Sequence, residues 1–489
     1  MRICVLQPDY GSSSVDYQNY DPRRDLSGLM SEATIDHVFL NKLTTYKQLK
    51  ELSGKSYDVF VNLCEGYLEW DIPSIDVIHS LEMLNLPYTG PNAELYDPPK
   101  DLMKYVAYCE GVKTPPYYKV SDDSDLSKIS NYLKFPMFVK PIKAGDSLGI
   151  DDHSKVDTAH DLYLKIESLR KEYNDILIEE YIPGREFTVL VVADESKPRK
   201  CRSFKPVEYI FPENFGFKTY SLKTSELHPE ANKPCDDKKL DKILRESAER
   251  IFKAFNGVGY ARMDFRVNDA NEVYFLEINF TCSVFYSEGY EGSADYILKY
   301  DGVGQEGFLR MIVEEGIKRY KSRMKKYEMK GNAISGFGIY AKQGFKKGEV
   351  IFKGEERAQR IVTKRYVGKN WTIDDKRFFK QYAYPLSNQV YCLWDNDPTE
   401  WAPQNHSCDP NTEYKGLDVI ALREVQLGEE LTLDYSNFLD EQAESFVCQC
   451  NSPKCKGVIS GVLNNSVTKR EDFQEMRSRH RVLKTMERP

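Results

Sequence analysis

Asn405-His406-Ser407-Cys408-Asp409-Pro410-Asn411, then Glu430-Leu431-Thr432-Leu433-Asp434-Tyr435, then Cys448-Gln449-Cys450 with Cys455 close behind, decide the reading of the last third of the chain. A fourth element stands upstream, Gly336-Phe337-Gly338-Ile339-Tyr340-Ala341, a glycine turn whose missing Cβ atoms let backbone approach a ligand closely. Cys408, Cys448, Cys450 and Cys455 supply four thiolates, three of them at short spacing, which suits a tetrahedral structural zinc with no open position for water. The competing reading is a disulfide framework. Against it stand an odd total of eleven cysteines and an opening Met1-Arg2-Ile3-Cys4-Val5 without a secretory apolar region. A reducing compartment is therefore expected, the cytoplasm first, with nuclear residence left open. Cys4, Cys64, Cys109, Cys201, Cys235, Cys282 and Cys392 read as small hydrophobic residues.

These four elements, in this order, resemble the end of a SET-domain methyltransferase with its post-SET zinc segment. The resemblance covers roughly residues 331 to 457. It implies S-adenosylmethionine (SAM) held by Gly336, Phe337, Gly338 and Tyr340 and by Asn405 and His406, with a pseudoknot bringing these segments beside a catalytic Tyr435. The chemistry fits. A lysine amine of pKa about 10.4 must lose its proton and meet a methyl sulfonium in line. A phenol and backbone carbonyls can align the amine and stabilise developing charge without a metal or a strong base. Leu433 departs from the pattern, since many relatives place Phe or Tyr two residues before the tyrosine, where ring size limits the number of methyl groups. Leucine predicts that di- or trimethylation is allowed, with Tyr382, Tyr384 and Tyr391 as other aromatics that could line the channel.

The first two thirds read as α/β. Strand-like apolar runs at Arg2 to Leu6, Asp58 to Leu63, Met137 to Lys140 and Ile176 to Ile182 alternate with helical patterns. One helix is plain, from about Lys238 to Asn256, with Leu240, Leu244, Ala248, Ile251, Phe252 and Phe255 on one face and Gly257 as its stop.

Several segments are similar to the ATP-grasp superfamily, most of all its D-alanine–D-alanine ligase branch. They are Leu86-Pro87-Tyr88-Thr89-Gly90, Pro99-Lys100-Asp101-Leu102, Phe135-Pro136-Met137-Phe138-Val139-Lys140-Pro141, the run Ile178-Glu179-Glu180-Tyr181-Ile182-Pro183-Gly184-Arg185-Glu186-Phe187, Arg262-Met263-Asp264, and Leu276-Glu277-Ile278-Asn279. This likeness spans roughly residues 1 to 318. It implies that Lys100 and Lys140 meet the phosphates of ATP, that Asp264, Glu277 and Asn279 give magnesium its hard oxygen ligands, and that Arg262 steadies the acyl-phosphate or tetrahedral intermediate. Glu179 and Ile182 would meet the adenine, Glu186 the ribose, and Lys223 the transferring phosphoryl. Lys143 to Gly149 reads as a lid that excludes water.

The substrate pockets depart from that family. Its lid serine is Asp146 here, its N-terminal glutamate has no match in Asp9 to Asp16, and the serine-proline-glycine after the magnesium asparagine is replaced by Phe280-Thr281-Cys282-Ser283. Cell-wall dipeptide synthesis is therefore not expected, and Asp146 would suit a cationic substrate.

A net charge of -8 with 29% charged and 41% hydrophobic residues describes a globular chain, and no run approaches the roughly 18 apolar residues of a spanning helix. The acidic balance argues against direct nucleic-acid binding; the exception is a basic tail from Lys469 to Arg488. The fold class expected is an α/β (α+β) ATP-grasp with an N-terminal parallel-sheet subdomain, then a mainly-β SET domain and a small zinc-bound post-SET segment. The expected boundaries are 1–93 and 94–318 for the ATP-grasp part, a linker at 319–330, the SET domain at 331–437, the zinc segment at 438–457 and the tail at 458–489. Ser287 to Gln305 reads as loop and Glu306 to Lys326 as helix. No low-complexity spacer separates the modules, which suggests a fixed geometry between them.

Three functions follow. The first is a bifunctional enzyme, a carboxylate-amine ligase using ATP and Mg2+ joined to a SAM-dependent N-methyltransferase, with Zn2+ structural. The second is a protein or histone lysine methyltransferase whose ATP-grasp part only regulates or docks. The third, a scaffold with both sites dead, fits poorly with the retention of Tyr435, Asn405, Asp264, Glu277 and Asn279. Expected partners are small-molecule amino acids or amines, or a protein lysine, with no membrane; a homodimer is compatible with all three.

Overall fold

The structure, a computed structural model, describes residues 1–11, 21–66, 71–121, 129–143, 148–194, 200–211, 216–217, 231–332, 335–354, 359–387, 389–394, 404–440 and 445–460. Two compact units divide the chain, Met1–Arg323 and Met324–Pro489.

The first unit opens with a three-stranded parallel sheet, β1 (Arg2–Pro8) flanked by β2 (Thr34–Leu40) and β3 (Val59–Asn62). Its central strand carries Ile3, Cys4, Val5 and Leu6, all fully buried, the near-continuous apolar run that a strand covered on both faces requires. An antiparallel four-stranded sheet follows, in the order β4 (Tyr117–Val120), β7 (Ile176–Glu180), β5 (Met137–Pro141), β6 (Lys155–Val156). A second antiparallel sheet runs β11 (Asn232–Pro234), β10 (Val207–Tyr209), β8 (Arg185–Asp194), β12 (Tyr260–Val267), β13 (Val273–Asn279), with β9 (Lys200–Ser203) also on β8. Separate apolar cores lie under each sheet, so the two antiparallel sheets face each other as two walls of a cleft rather than as one continuous sandwich.

The helix Lys238–Ala254 buries Leu240, Leu244, Ala248, Ile251 and Phe252, one stripe against β8 and β12. Its stop differs in detail from the sequence reading. Asn256 takes the left-handed conformation (φ 50°) and the Gly257 N–H returns to the Phe252 carbonyl at 2.9 Å. The segment 287–305 also departs from expectation, because a helix, Ser293–Asp301, forms inside it. The Asp295 side chain accepts from the Gly292 and Phe285 N–H groups, and Ala294, Tyr296, Ile297 and Leu298 are buried. Glycines and tyrosines around it conceal that short apolar stripe in the sequence. The next helix, Gly304–Arg323, packs between β3 of the parallel sheet and β8 of the antiparallel one, with Arg319 donating to the Tyr88 and Gly90 carbonyls.

The second unit is built from short strands. Tyr327–Asn332 pairs antiparallel with Gly336–Ala341, so residues 319–330 comprise the end of a helix and the start of a strand. Val350–Phe352, Thr412–Lys415 and Asp418–Ala421 form one small sheet; Gln359–Thr363, Tyr384–Ser387 and Val390–Trp394 form another. Asn405–His406 pairs in parallel with Thr432–Leu433. Ile339, Ala341, Phe345, Ile351, Ala421, Val425 and Leu431 make the core. Among the described residues no helix is long and apolar enough to cross a membrane.

Candidate functional site

In the first unit, β12 and β13 pair so that Asp264 stands opposite Glu277 and Arg262 opposite Asn279. Side chains two apart on a strand share a face, which puts Arg262, Asp264 and Arg266 on one side of β12. Arg262 Nη2 is 3.5 Å from Asp264 Oδ2, and Asn279 Nδ2 is 3.5 Å from Glu277 Oε1. The donor set is two carboxylates and an amide oxygen on adjacent strand ends, hard ligands of the kind magnesium takes.

The opposite wall supplies cations. Lys140 Nζ lies 2.6 Å from Glu179 Oε1, and Lys104 Nζ lies 2.6 Å from Glu179 Oε2; all three side chains are buried. Burial alone would raise the Glu179 carboxyl, but Lys104 and Lys140 outweigh it and hold it down at about 2. Burial, with Lys140 adding to it and Glu179 opposing, pulls Lys104 down to about 8. Glu179 is thus shared between two ammonium groups, while Glu186, Asp264 and Glu277 stand in the same cleft. Lys100 Nζ is 3.7 Å from Glu277 Oε2 and so links this wall to the carboxylates.

The cleft between the walls is lined by Lys140, Glu179, Ile182, Glu186, Asp264 and Glu277, which brings most of the residues expected from sequence into one place. Lys100, Arg262 and Asn279 adjoin it through the contacts given above. Lys223 and Asp146 lie outside the described residues, as do residues 144–147 of the lid. Sequence reasoning missed Lys104, Phe138 and Arg266. Lys104 sits four residues after Lys100 on the helix Lys100–Cys109, and Arg266 two after Asp264; helix and strand periodicity were the available signals. Arg266 Nη2 pairs with Glu186 Oε2 at 3.2 Å. The rings of Phe138 and Phe217 meet edge to face at 5.0 Å, giving the cleft an apolar end.

In the second unit the parallel pairing of Asn405 with Thr432 and His406 with Leu433 draws the two motifs together. The glycine turn joins them, since Tyr340 bridges Glu430 and the Leu431 N–H bonds the Ile339 carbonyl at 2.8 Å. Asn405 Nδ2 donates to the Phe337 carbonyl at 2.8 Å and to Glu430 Oε1 at 2.7 Å. Gly336 has φ +88°, a conformation glycine adopts without strain.

Tyr435 donates its hydroxyl to the Gln404 carbonyl. Burial, together with the neighbouring Tyr382 phenol, pushes its pKa up to about 12, so it is a neutral donor at physiological pH. His406 Nδ1 accepts from the Tyr435 N–H at 3.1 Å, and its Nε2 lies 3.3 Å from Cys408 Sγ. Burial holds His406 below its usual pKa, so a neutral ring links the tyrosine backbone to the cysteine cluster. Leu433 is buried in the parallel pair. Aromatic rings gather at Tyr435. Phe438 is centred 5.5 Å from it, Tyr384 and Tyr414 each 5.5 Å from Phe438, and Phe446 6.1 Å from Tyr435. Tyr391 instead packs on Phe379 and donates to Asp440. Phe438, Tyr414 and Phe446 were not singled out in the sequence.

Cys408, Cys448, Cys450 and Cys455 bring their sulfur atoms within 4.8 Å of one another, with Cys408 and Cys448 3.8 Å apart. Ligands about 2.3 Å from a tetrahedral zinc stand about 3.8 Å from each other, so the cluster fits that ion. Nearby, Lys456 reaches Asp434 at 2.7 Å and ties the cysteine segment to the residue before Tyr435.

Fold and residues together define an ATP-grasp unit followed by a SET unit with a zinc-compatible cysteine cluster. Residues 110–285 match the family model of the D-ala D-ala ligase C-terminus and residues 336–436 that of the SET domain. The chain thus carries, in order, a segment that matches the C-terminal part of D-alanine–D-alanine ligases and a segment that matches SET domains. It is 30% identical over 201 residues to a D-alanine–D-alanine ligase of Aquifex aeolicus (strain VF5), across 41% of this chain and 64% of that one. To a D-alanine–D-alanine ligase of Lactococcus lactis subsp. lactis (strain IL1403) it is 33% identical over 205 residues, 41% of this chain and 57% of the other. The chain therefore spans about three fifths of the length of these curated relatives. Among solved structures, the D-alanine–D-alanine ligase from Bacillus anthracis complexed with ATP aligns with a TM-score of 0.47 at 20% identity, over 66% of this chain and 100% of that one. The D-alanine–D-alanine ligase from Coxiella burnetii aligns at 0.48 and 18%, over 66% and 97%.

Proposed function

We propose that the chain is a bifunctional enzyme, an ATP- and Mg2+-dependent carboxylate-amine ligase joined to a SAM-dependent N-methyltransferase acting on a lysine or related amine. The observation that carries it is the assembly of both residue sets. Two lysines on one carboxylate face an Asp264–Glu277 pair across a cleft, and Tyr435 stands beside the Gly336–Asn405 turn.

In the ligase half, Lys104 and Lys140 hold the phosphates, the β12–β13 carboxylates with Asn279 hold magnesium, and Arg262 stabilises the oxyanion that develops as the amine attacks the activated carboxyl. Bound Mg2+ would supply neutralisation of the triphosphate charge. Ile182 and Phe138 supply apolar walls for the base, and Glu186 accepts from the ribose hydroxyls. In the methyltransferase half, Tyr435 aligns the acceptor amine by hydrogen bonding, and the rings of Phe438 and Tyr384 exclude water and favour a cationic amine. Zinc at the four cysteines would hold the segment that His406 connects to Tyr435.

The test is incubation of the purified protein with ATP, Mg2+, methyl-labelled SAM, an amino-acid pool and a mixed protein extract, followed by mass spectrometry. ADP with a new amide and label on a small amine supports the reading. Label on protein lysines with ATP untouched replaces it by a lysine methyltransferase whose first unit docks or senses nucleotide.

A further inference from the structure

The motif Glu430 to Tyr435 has one side chain with no assigned role, the carboxylate of Glu430. Its Oε1 accepts from Asn405 Nδ2 at 2.7 Å, and Asn332 Nδ2 approaches Oε1 at 3.0 Å and Oε2 at 3.2 Å. The carboxylate fills the space beside Gly338 so closely that a Cβ added there would fall 2.1 Å from Glu430 Oε1 and 2.9 Å from Asn405 Nδ2. Backbone pairing holds it in place, through the Tyr340–Glu430 bridge, the Ala341 N–H to the Glu429 carbonyl at 2.8 Å, and Asn411 Nδ2 to the Glu430 carbonyl at 2.8 Å.

Two consequences follow from this arrangement. Both amide hydrogens of Asn405 are committed, to Glu430 and to the Phe337 carbonyl, and both partners are acceptors only. The amide orientation is therefore fixed, and Asn405 Oδ1 is the atom left to accept from a ligand. Moreover, the Glu430 carboxylate beside the glycine turn is bonded by neutral amides and, among the described residues, makes no ion pair. A half-buried carboxylate in that state favours a cation nearby.

We propose that Glu430 is a positioning residue for the amino-acid end of SAM. It orients Asn405 so that Oδ1 accepts from the ligand ammonium, and its charge favours that ammonium over a neutral group. This rests on the SAM reading of the second unit.

The experiment is calorimetric titration of the full chain, zinc-loaded, with three ligands: SAM, S-adenosylhomocysteine, and 5′-methylthioadenosine, which lacks the amino-acid part. Charge-assisted hydrogen bonds predict that Glu430→Gln weakens SAM and S-adenosylhomocysteine alike by about tenfold or more and leaves 5′-methylthioadenosine unchanged. In an Asn405→Ala background, Glu430→Gln should then cost much less than it does alone, because its effect runs through that amide. Equal weakening of all three ligands would mean a loosened turn and overturn the proposal, as would no change in any of them. Zinc content and a thermal melt report folding; if Glu430→Gln misfolds, Glu430→Asp, one methylene short with its charge kept, gives the same comparison. Failure of the wild type to bind SAM at all defeats the SAM reading itself, a distinct result.

Discussion

Lys104 Nζ and Glu179 Oε2 stand 2.6 Å apart where neither side chain meets solvent, and Lys140 holds the other oxygen of the same carboxylate. One buried carboxylate thus carries two lysine ammonium groups.

With Lys104 pulled down to about 8, ATP should bind most tightly below that pH and more weakly above it, since the phosphate needs the protonated amine. Binding at pH 8 to 9 should take up a proton. Titration calorimetry in buffers of different ionisation enthalpy reads this directly, and Lys104→Met should abolish the uptake and weaken ATP by about tenfold or more. A proton uptake that survives the substitution would place the titrating group elsewhere.

Glu179→Gln removes the carboxylate and leaves two buried ammonium groups facing each other. Breaking a buried pair in this way costs about 3–5 kcal/mol, to be seen in urea unfolding of the first unit. The pH dependence has a definite sign. Glu179 is held at about 2 when folded against an ordinary 4.5, so its contribution is present above pH 4.5 and lost as pH falls from there toward 2.

Asp264→Asn and Glu277→Gln should raise the Mg2+ concentration needed for ATP turnover by about 100-fold or more, beyond the range of residues that only orient ligands. A magnesium titration of ADP release distinguishes this from a loss of nucleotide affinity.

Tyr435→Phe should cut methyl transfer by about 10²- to 10⁴-fold with SAM affinity retained. Because the phenol ionises only near 12, the methylation rate should rise between pH 7 and 10 with deprotonation of the acceptor amine and show no second inflection from Tyr435. Single-turnover rates across that range are the measurement.

One zinc per chain is expected by atomic emission. Cys450→Ser or a strong chelator should lower methyl transfer and the melting temperature of the second unit, while ATP turnover in the first unit continues. Loss of both activities together would show that the units depend on each other for folding.

Much of this was legible in the sequence, for reasons that differ by element. Asp264, Glu277 and Asn279 could be read because polar residues interrupt otherwise apolar strands, and Cys448, Cys450 and Cys455 because their spacing is local, whereas Cys408 joins them from 40 residues upstream. Lys104 was not, since a lysine on a helix ordinarily points to water, whereas here it is fully buried against Glu179. Ser293–Asp301 was hidden by glycine and tyrosine neighbours until Asp295 closed its first turn. Phe446 comes to Tyr435, and Tyr414 to its neighbour Phe438, from separate segments, a convergence that no periodicity announces. The sequence pointed to His406 as a cofactor contact but did not announce that its ring also joins the Tyr435 backbone to Cys408.

The crowding of Gly338 against Glu430 makes the two positions epistatic. A side chain at 338 is accommodated only once the ends of the Glu430 and Asn405 side chains turn aside, so a saturation library at either site will show a fitness landscape that depends on the other. Laboratory evolution toward altered cofactor analogues would then have to vary this pair together, since a change at 338 moves the carboxylate that holds Asn405.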